Sequence, residues 1–260
     1  MITISVVTWN RREVLRRALL AIEKTTTEPY RILVSDNGST DGTPEFLAQY
    51  ADEHPGLVDL WLLPENVGIS KARNAHWSHC VGQDTLRMDD KIEILSPHWS
   101  QIMRRQAREA QALIAFTDPS TEQLWHTAVN DAQVAYVPTW KCGAGMFIPG
   151  EVSAKLGGWD ECFGLYGHED LAYMDRAEAI GWKFGYTLCA YARHLAAAGP
   201  KGREYVEPFI PIYEERKREY ADGERDLNIP IDSTEGYALG VDGPSTSLVR
   251  RGSALSLAFP

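Results

Sequence analysis

Apolar positions in the opening third of the chain switch between two periods. Ile2-Thr3-Ile4-Ser5-Val6-Val7-Thr8 is a β-rich run that stops at Trp9-Asn10-Arg11-Arg12. Val14, Leu15, Ala18, Leu19 and Ile22 then fall at helical spacing. Arg31 to Ser35 predicts a second strand, ending in the turn-rich Asp36-Asn37-Gly38-Ser39-Thr40-Asp41-Gly42, with a helix over 43–52. Leu57 to Leu63 predicts a third strand that ends at Pro64-Glu65-Asn66-Val67-Gly68, with a helix over 69–80. Thr85 to Met88 is a short fourth strand running into Asp89-Asp90-Lys91. Strands alternating with helices predict parallel pairing through right-handed crossovers. Ligands of such sheets sit beyond the C-terminal strand ends, where all of these polar clusters fall.

The pattern changes after about residue 95. An amphipathic helix is expected over 98–111, strands at Ala112 to Phe116 and Val134 to Val137, and a glycine-containing strand from Lys141 to Pro149. A glycine- and aromatic-rich loop covers 157–167. A helix over 169–181 follows, opening with His168-Glu169-Asp170. Phe184 to Leu188 reads as the last strand, with Tyr191-Ala192-Arg193-His194 after it. Residues 196–204 read as mobile, 205–220 as a charged helix, and the remainder as an extended or partly disordered tail. The pattern divides the chain into a half at 1–95, a second half at 96–200 and a C-terminal helix and tail at 201–260.

Composition narrows the class. A chain of 260 residues with 44% hydrophobic content suits one sizeable α/β domain. Its apolar runs are strand-length, so no transmembrane segment is expected, and Met1 leads straight into a strand rather than a signal peptide. Cys80, Cys142, Cys162 and Cys189 form no CxxC unit, which suggests free thiols and a cytoplasmic setting. The net charge of −10 argues against a broad nucleic-acid footprint.

The strand-end residues carry the candidate chemistry. Asp36 can accept from the imide N–H of uracil or thymine, or from guanine N1–H, and Gly38 lets backbone approach a base closely. The same stretch also reads as a turn with a helix cap. Thr8, Asn10 and Arg12 can touch base, ribose or phosphate, or simply start a helix. Lys71 and Arg73 can serve phosphates or orient acids, or lie on a solvated helix face. Adjacent carboxylates at Asp89 and Asp90 repel, so they favour a cation such as Mg²⁺ or Mn²⁺; an acidic turn is the alternative. Glu169 and Asp170 fit either a helix N-terminus or a general base beside an acceptor. His194 can ligate a metal or phosphate, or be structural.

Taken in order, these stretches resemble the inverting family 2 glycosyltransferases of GT-A fold. The match comprises Ser5 to Arg11, Asp36 to Thr43, Asn66-Val67-Gly68 with Ala72-Arg73-Asn74, Asp89-Asp90, and Gly157-Gly158-Trp159-Asp160-Glu161 running on to Glu169-Asp170. It spans roughly residues 2–195. The resemblance implies a Rossmann-like mixed α/β sheet with helices on both faces. It implies that Thr8, Asn10, Arg12, Asp36, Gly38, Asn66, Gly68, Arg73, Asp89, Asp90 and Lys91 contact a nucleotide-sugar donor, with Asp36 reading the base. Asp170 is the implied catalytic base. Glu169 and Trp159 are implied at the acceptor, and Asp90 with His194 at a Mn²⁺ or Mg²⁺ ion.

One position departs from that family. Where a third acid often stands, this chain has Lys91. Either Asp90 and His194 hold the ion with the diphosphate, or the Lys91 ammonium neutralises the diphosphate itself. The expected donors are UDP-, GDP- or TDP-sugars. The expected acceptor is a glycan or lipid-linked saccharide, with a protein side chain or a modified DNA base as alternatives. Self-association through the C-terminal tail is a further expectation. Two rivals are a non-catalytic sugar-nucleotide or glycan-binding module and a sugar nucleotidyltransferase. The latter typically needs a glycine-rich basic loop after the first strand, and Trp9-Asn10-Arg11-Arg12 contains no glycine.

Overall fold

The computed structural model describes residues 1–119, 129–136, 145–195 and 207–231, with the backbone of 248–250. The first apolar run forms Ile2–Thr8 (β1), buried along its length. It is followed by Arg12–Thr25 (α1), Tyr30–Asp36 (β2), Thr43–Glu53 (α2), Val58–Leu62 (β3), Ile69–Trp77 (α3) and Thr85–Asp89 (β4). β1 pairs in parallel with β2 on one side and β4 on the other, and β2 pairs in parallel with β3. The expected parallel half is therefore present, and its strands end together on one edge.

Polar residues inside β1 are paired off rather than left to water. Ser5 Oγ lies 2.6 Å from His76 Nε2, and Ser35 Oγ of β2 lies 2.7 Å from His76 Nδ1. Burial, reinforced by the nearby Arg73 charge, pushes His76 down to about 3. The ring is thus neutral at physiological pH and pins α3 to two strands.

The second half continues through Ile92–Ile94 (β5), Trp99–Ala110 (α4), Ala112–Thr117 (β6), Val134–Ala135 (β7), Gly145–Ile148 (β8), Gly150–Leu156 (α5), Glu169–Ala179 (α6), Lys183–His194 (β9), Ile210–Ala221 (α7) and Leu248–Arg250 (β10). The sheet order is β10-β3-β2-β1-β4-β8-β6-β9-β5, with β7 alongside β9. β8 runs antiparallel to β4 and β6, which makes the sheet mixed. One core packs α1, α2 and α4 side chains such as Leu15, Leu47 and Met103 on β1 and β2. The other packs Trp77 of α3, Val152 of α5 and Tyr173 of α6 on the opposite face.

Several boundaries differ from expectation. The last strand does not stop at Leu188 but runs to His194. Its partner changes on the way: pairing with β6 shifts register between Ala115 and Thr117, resumes at Thr117 opposite Tyr191, and Ala192 to His194 then pair with the unforeseen β5. Helix α3 ends at Trp77 rather than 80, and α5 was not expected. The charged C-terminal helix is present as Ile210–Ala221. The expectations for residues 196–204, for 141–144, for Val137 and for most of the tail beyond 231 lie outside the described residues.

Candidate active site

The loops that follow β1, β2 and β3 are tied to one another rather than simply adjacent. Asn10 N donates to Ser39 Oγ at 2.8 Å, and Thr40 N donates to Asn10 Oδ1 at 2.7 Å. Arg12 N donates to Asp41 Oδ2 at 3.2 Å. Asn37 Nδ2 donates to Asn66 Oδ1 at 2.9 Å, and Val67 N returns a bond to Asn37 Oδ1 at 3.0 Å. Gly38 has φ +74°, and a Cβ there would sit 2.4 Å from the Glu65 backbone. Its glycine is thus explained by loop packing. Asn66 likewise serves the frame.

Asp36 is 1% exposed. Its Oδ2 accepts from Ser39 N at 3.0 Å, while Oδ1 meets no hydrogen-bond donor. Burial pushes the carboxyl above its ordinary value, against the lowering effect of the Ser39 bonds. A buried acceptor left unpaired is costly, so this atom suits a ligand N–H at the strand end.

Asp89 and Asp170 lie in one ion-pair network. Arg87, buried in the middle of β4, spans both: Nη1 reaches Asp89 Oδ1 at 2.9 Å and Nη2 reaches Asp170 Oδ2 at 2.9 Å. Arg73 Nη1 lies 3.6 Å from Asp170 Oδ1, and Lys91 Nζ lies 3.6 Å from Asp89 Oδ2. Asp90 is held apart from the others: Thr8 Oγ1 donates to its Oδ2 at 2.9 Å and Arg11 Nη1 to its Oδ1 at 3.0 Å.

The environments split the acids. Burial pushes Asp170 up to about 6; Arg87 and Arg73 oppose that, while Glu169 and Asp89 add to it. Burial also raises Asp89, but the cations Arg87, Lys91 and Arg73, with His194, outweigh it and leave the group below its ordinary value. Asp90 moves up, mainly through burial. Asp89 is thus the firmly ionised carboxylate and Asp170 the one poised near neutrality, the separation that general acid–base chemistry requires.

Asp170 is placed by a strained turn. His168 sits at φ +66° immediately before α6 and stacks on Tyr213 of α7 at 4.9 Å. Glu169 is buried, and its Oε2 accepts from Gly167 N at 2.9 Å, which fixes the loop before α6. Trp159, expected to shape an acceptor cleft, is fully buried. It stacks on Tyr173 at 4.3 Å and carries the Arg73 guanidinium 4.2 Å above its ring. Its contribution is to hold Arg73 in place. The exposed members of that loop are Leu165 and Tyr166. The loop also touches the donor side: Ile69 N donates to Leu165 O at 3.2 Å, and a Cβ on Gly68 would meet Gly164 O at 2.4 Å.

The expected metal ligands were Asp90 and His194. His194 is brought beside Lys91, since Leu195 N donates to Lys91 O at 2.8 Å, and its charge is felt at Asp89. Yet all four oxygens of Asp89 and Asp90 already face a protein cation or hydroxyl. Among the described residues no three His, Cys, Asp or Glu side chains form a metal-holding group. A divalent ion here would share every carboxylate oxygen with a protein cation or hydroxyl.

The sequence reading missed Arg87. The available signal was an arginine inside the apolar run Thr85-Leu86-Arg87-Met88, since a charge in a central strand needs charged or polar partners. Arg11 was passed over for Arg12, although it is Arg11 that reaches Asp90. Asn10, Arg12 and the exposed Lys71 border the network without touching its acids.

A mixed α/β sheet with buried acids and cations at the C-terminal ends of its parallel strands defines a GT-A-like domain. The chain belongs to glycosyl transferase family 2, whose family model matches residues 3–138, just over half of its length. It is similar to a crystal structure of GalNAc-T7 with UDP, GalNAc and Mn2+, with a TM-score of 0.65 and 15% identity over 86% of this chain and 51% of that one. It is also similar to a mannosyltransferase from Pyrobaculum calidifontis in complex with GDP-Man and Mn2+, with a TM-score of 0.57 and 19% identity over 77% of this chain and 58% of that one. An uncharacterised protein of Mycobacterium tuberculosis is 29% identical over 105 residues, covering 35% of this chain. The chain spans about a third of the length of the curated relatives it matches, with 30% of that protein covered. No helix among the described residues is long and apolar enough to cross a membrane.

Proposed function

We propose that this domain transfers a sugar from a UDP-, TDP- or GDP-sugar to an acceptor hydroxyl, inverting the anomeric centre. The observation that carries the reading is the Arg87 fork. It joins the ionised Asp89 at the donor edge to Asp170, raised to about 6, at the start of α6. Asp36 Oδ1 is the base-reading acceptor, because a buried carboxylate oxygen without a donor matches an imide N–H. Solved structures of the same fold carry UDP in one case and GDP-mannose in another, which agrees with that choice of bases.

In this mechanism Asp170 accepts the acceptor's hydroxyl proton. The hydroxyl oxygen forms a bond to the anomeric carbon from the face opposite the diphosphate. The bond from that carbon to the diphosphate oxygen breaks, and its electron pair leaves with the nucleoside diphosphate. Arg87 keeps Asp170 partly ionised and aimed, while Glu169 and His168 position it through the loop and the αL turn. Leu165 and Tyr166 offer an exposed apolar and aromatic surface beside the base, of the kind that suits a saccharide ring. The acceptor is accordingly a glycan or lipid-linked saccharide.

The test is a thermal-shift series with UDP-, GDP- and TDP-sugars, followed by proton NMR of the product from the stabilising donor. The reading predicts that one donor raises Tm by mass action and that the new glycosidic bond has inverted configuration. Retention of configuration, or no donor that stabilises the fold, contradicts it.

A further inference from the structure

We propose that the Lys91 ammonium, rather than a bound divalent ion, neutralises the departing diphosphate. This rests on the donor reading given above. Lys91 stands on the turn directly after Asp89-Asp90, only 15% exposed at its side chain, with Nζ 3.6 Å from Asp89 Oδ2. The backbone bond from Leu195 N to Lys91 O fixes this turn against the end of β9, which also brings His194 alongside. The ammonium thus lies against the acid at the strand end, while the His194 ring faces Asp118, with Nδ1 3.8 Å from Asp118 Oδ2.

Each oxygen of Asp89 and Asp90 already has one protein partner. Asp90 is closed by Thr8 and Arg11, and Asp89 by Arg87 and Lys91. A divalent ion would have to share these oxygens with three protein cations and a hydroxyl, and lie against an ammonium of like sign. A lysine on a four-carbon stem can turn from Asp89 to a phosphate oxygen without other parts moving, and it acts on phosphate as a point charge. When the bond from the anomeric carbon to the diphosphate oxygen breaks, the electron pair stays on that oxygen. The ammonium offsets the added negative charge without giving up its proton. Arg87 and Arg11 remain on the carboxylates, so they hold the frame while Lys91 moves.

The experiment is calorimetric binding of UDP, GDP and TDP to the full chain, in chelator and in Mn²⁺. Three proteins are compared: wild type, Lys91→Asp and Lys91→Arg. For the diphosphate that binds, wild-type Kd should be the same in both media within about twofold. Lys91→Asp should bind about tenfold or more weakly in chelator and recover in Mn²⁺, since it restores an acid at the turn. Lys91→Arg should keep binding in chelator. Wild-type binding that requires Mn²⁺, or Lys91→Asp binding that is unchanged in chelator, overturns the inference and leaves the donor reading standing. If no diphosphate binds in either medium, the donor reading itself fails, and this inference with it.

Discussion

Two buried arginines lie on opposite ends of one stack and do different work. Arg73 sits over Trp159, Trp159 stacks on Tyr173, and Arg176 sits 4.9 Å over Tyr173. At the strand-end side, Arg73 and its neighbour Arg87 face carboxylates. At the far side, Arg176 donates to the carbonyls of Leu156, Gly158 and Leu227, at 2.9, 2.7 and 3.1 Å. Fixed backbone dipoles have one charge state, so Arg176 is a staple that joins α5 and the 157–158 turn to the segment after α7. Carboxylates have two charge states, and Arg87 biases which of them Asp170 adopts. Burial of charge is the same in both places; the chemistry follows from what the charge faces.

That contrast can be broken at either end. Of the substitutions that test this contrast, Arg87→Ala should act most strongly, lowering kcat about a hundredfold through loss of aim at Asp170. Its acid limb should also move to higher pH, because the cation that opposes the rise of Asp170 is gone. Arg87→Lys should return the limb toward wild type while recovering only part of kcat, since charge survives but the two-pronged fork does not. A pH–rate series on the three proteins checks this; an unmoved limb in Arg87→Ala would mean that Arg87 is only structural.

The next effect is in the wild type. A general base acts when ionised, so kcat/KM should be full above about 6 and fall about tenfold per unit below it. A profile flat through that region would remove Asp170 from the role.

Arg176→Met should act on stability alone. Leaving three carbonyls without their donor costs about 2–4 kcal/mol, which lowers Tm by roughly 5–10 °C. The position of the acid limb should stay where it was. A shift of the limb in Arg176→Met would show that the stack transmits to Asp170 and that the two ends are not separate.

Gly38→Ala should be smallest, about 1–3 kcal/mol by melting, because a Cβ at φ +74° would press on the Glu65 backbone. Donor affinity should fall with it as the Asp36 loop is displaced, and unchanged affinity would separate Gly38 from the donor frame.

The parallel half of the sheet was legible because its strands are β-rich runs, Ile2–Thr8 alternating apolar with polar, each ended by turn residues. The acids at those ends were legible for the same reason: Asp36 and Asp89-Asp90 follow directly on strand patterns. The second half was harder. β5 is only Ile92–Ile94, too short for a periodic signal, and without it the extension of β9 to His194 had no visible partner. Contacts across long separations were not legible at all. Nothing local says that Arg87 of β4 meets Asp170, that Trp159 is buried under Arg73, or that Tyr213 of α7 stacks on His168. The α7 helix read as a charged tail element, yet Tyr213 donates to Asp175 at 2.7 Å and Tyr220 to Asp160 at 3.0 Å, clamping α6 and the loop before it.

The most direct measurement compares Asp170→Asn with wild type, using the donor that stabilises the fold and following release of the nucleoside diphosphate in the presence of acceptor. The account predicts that donor affinity is kept within a few-fold while kcat falls about 10²–10⁴-fold. Near-normal turnover by Asp170→Asn would contradict it.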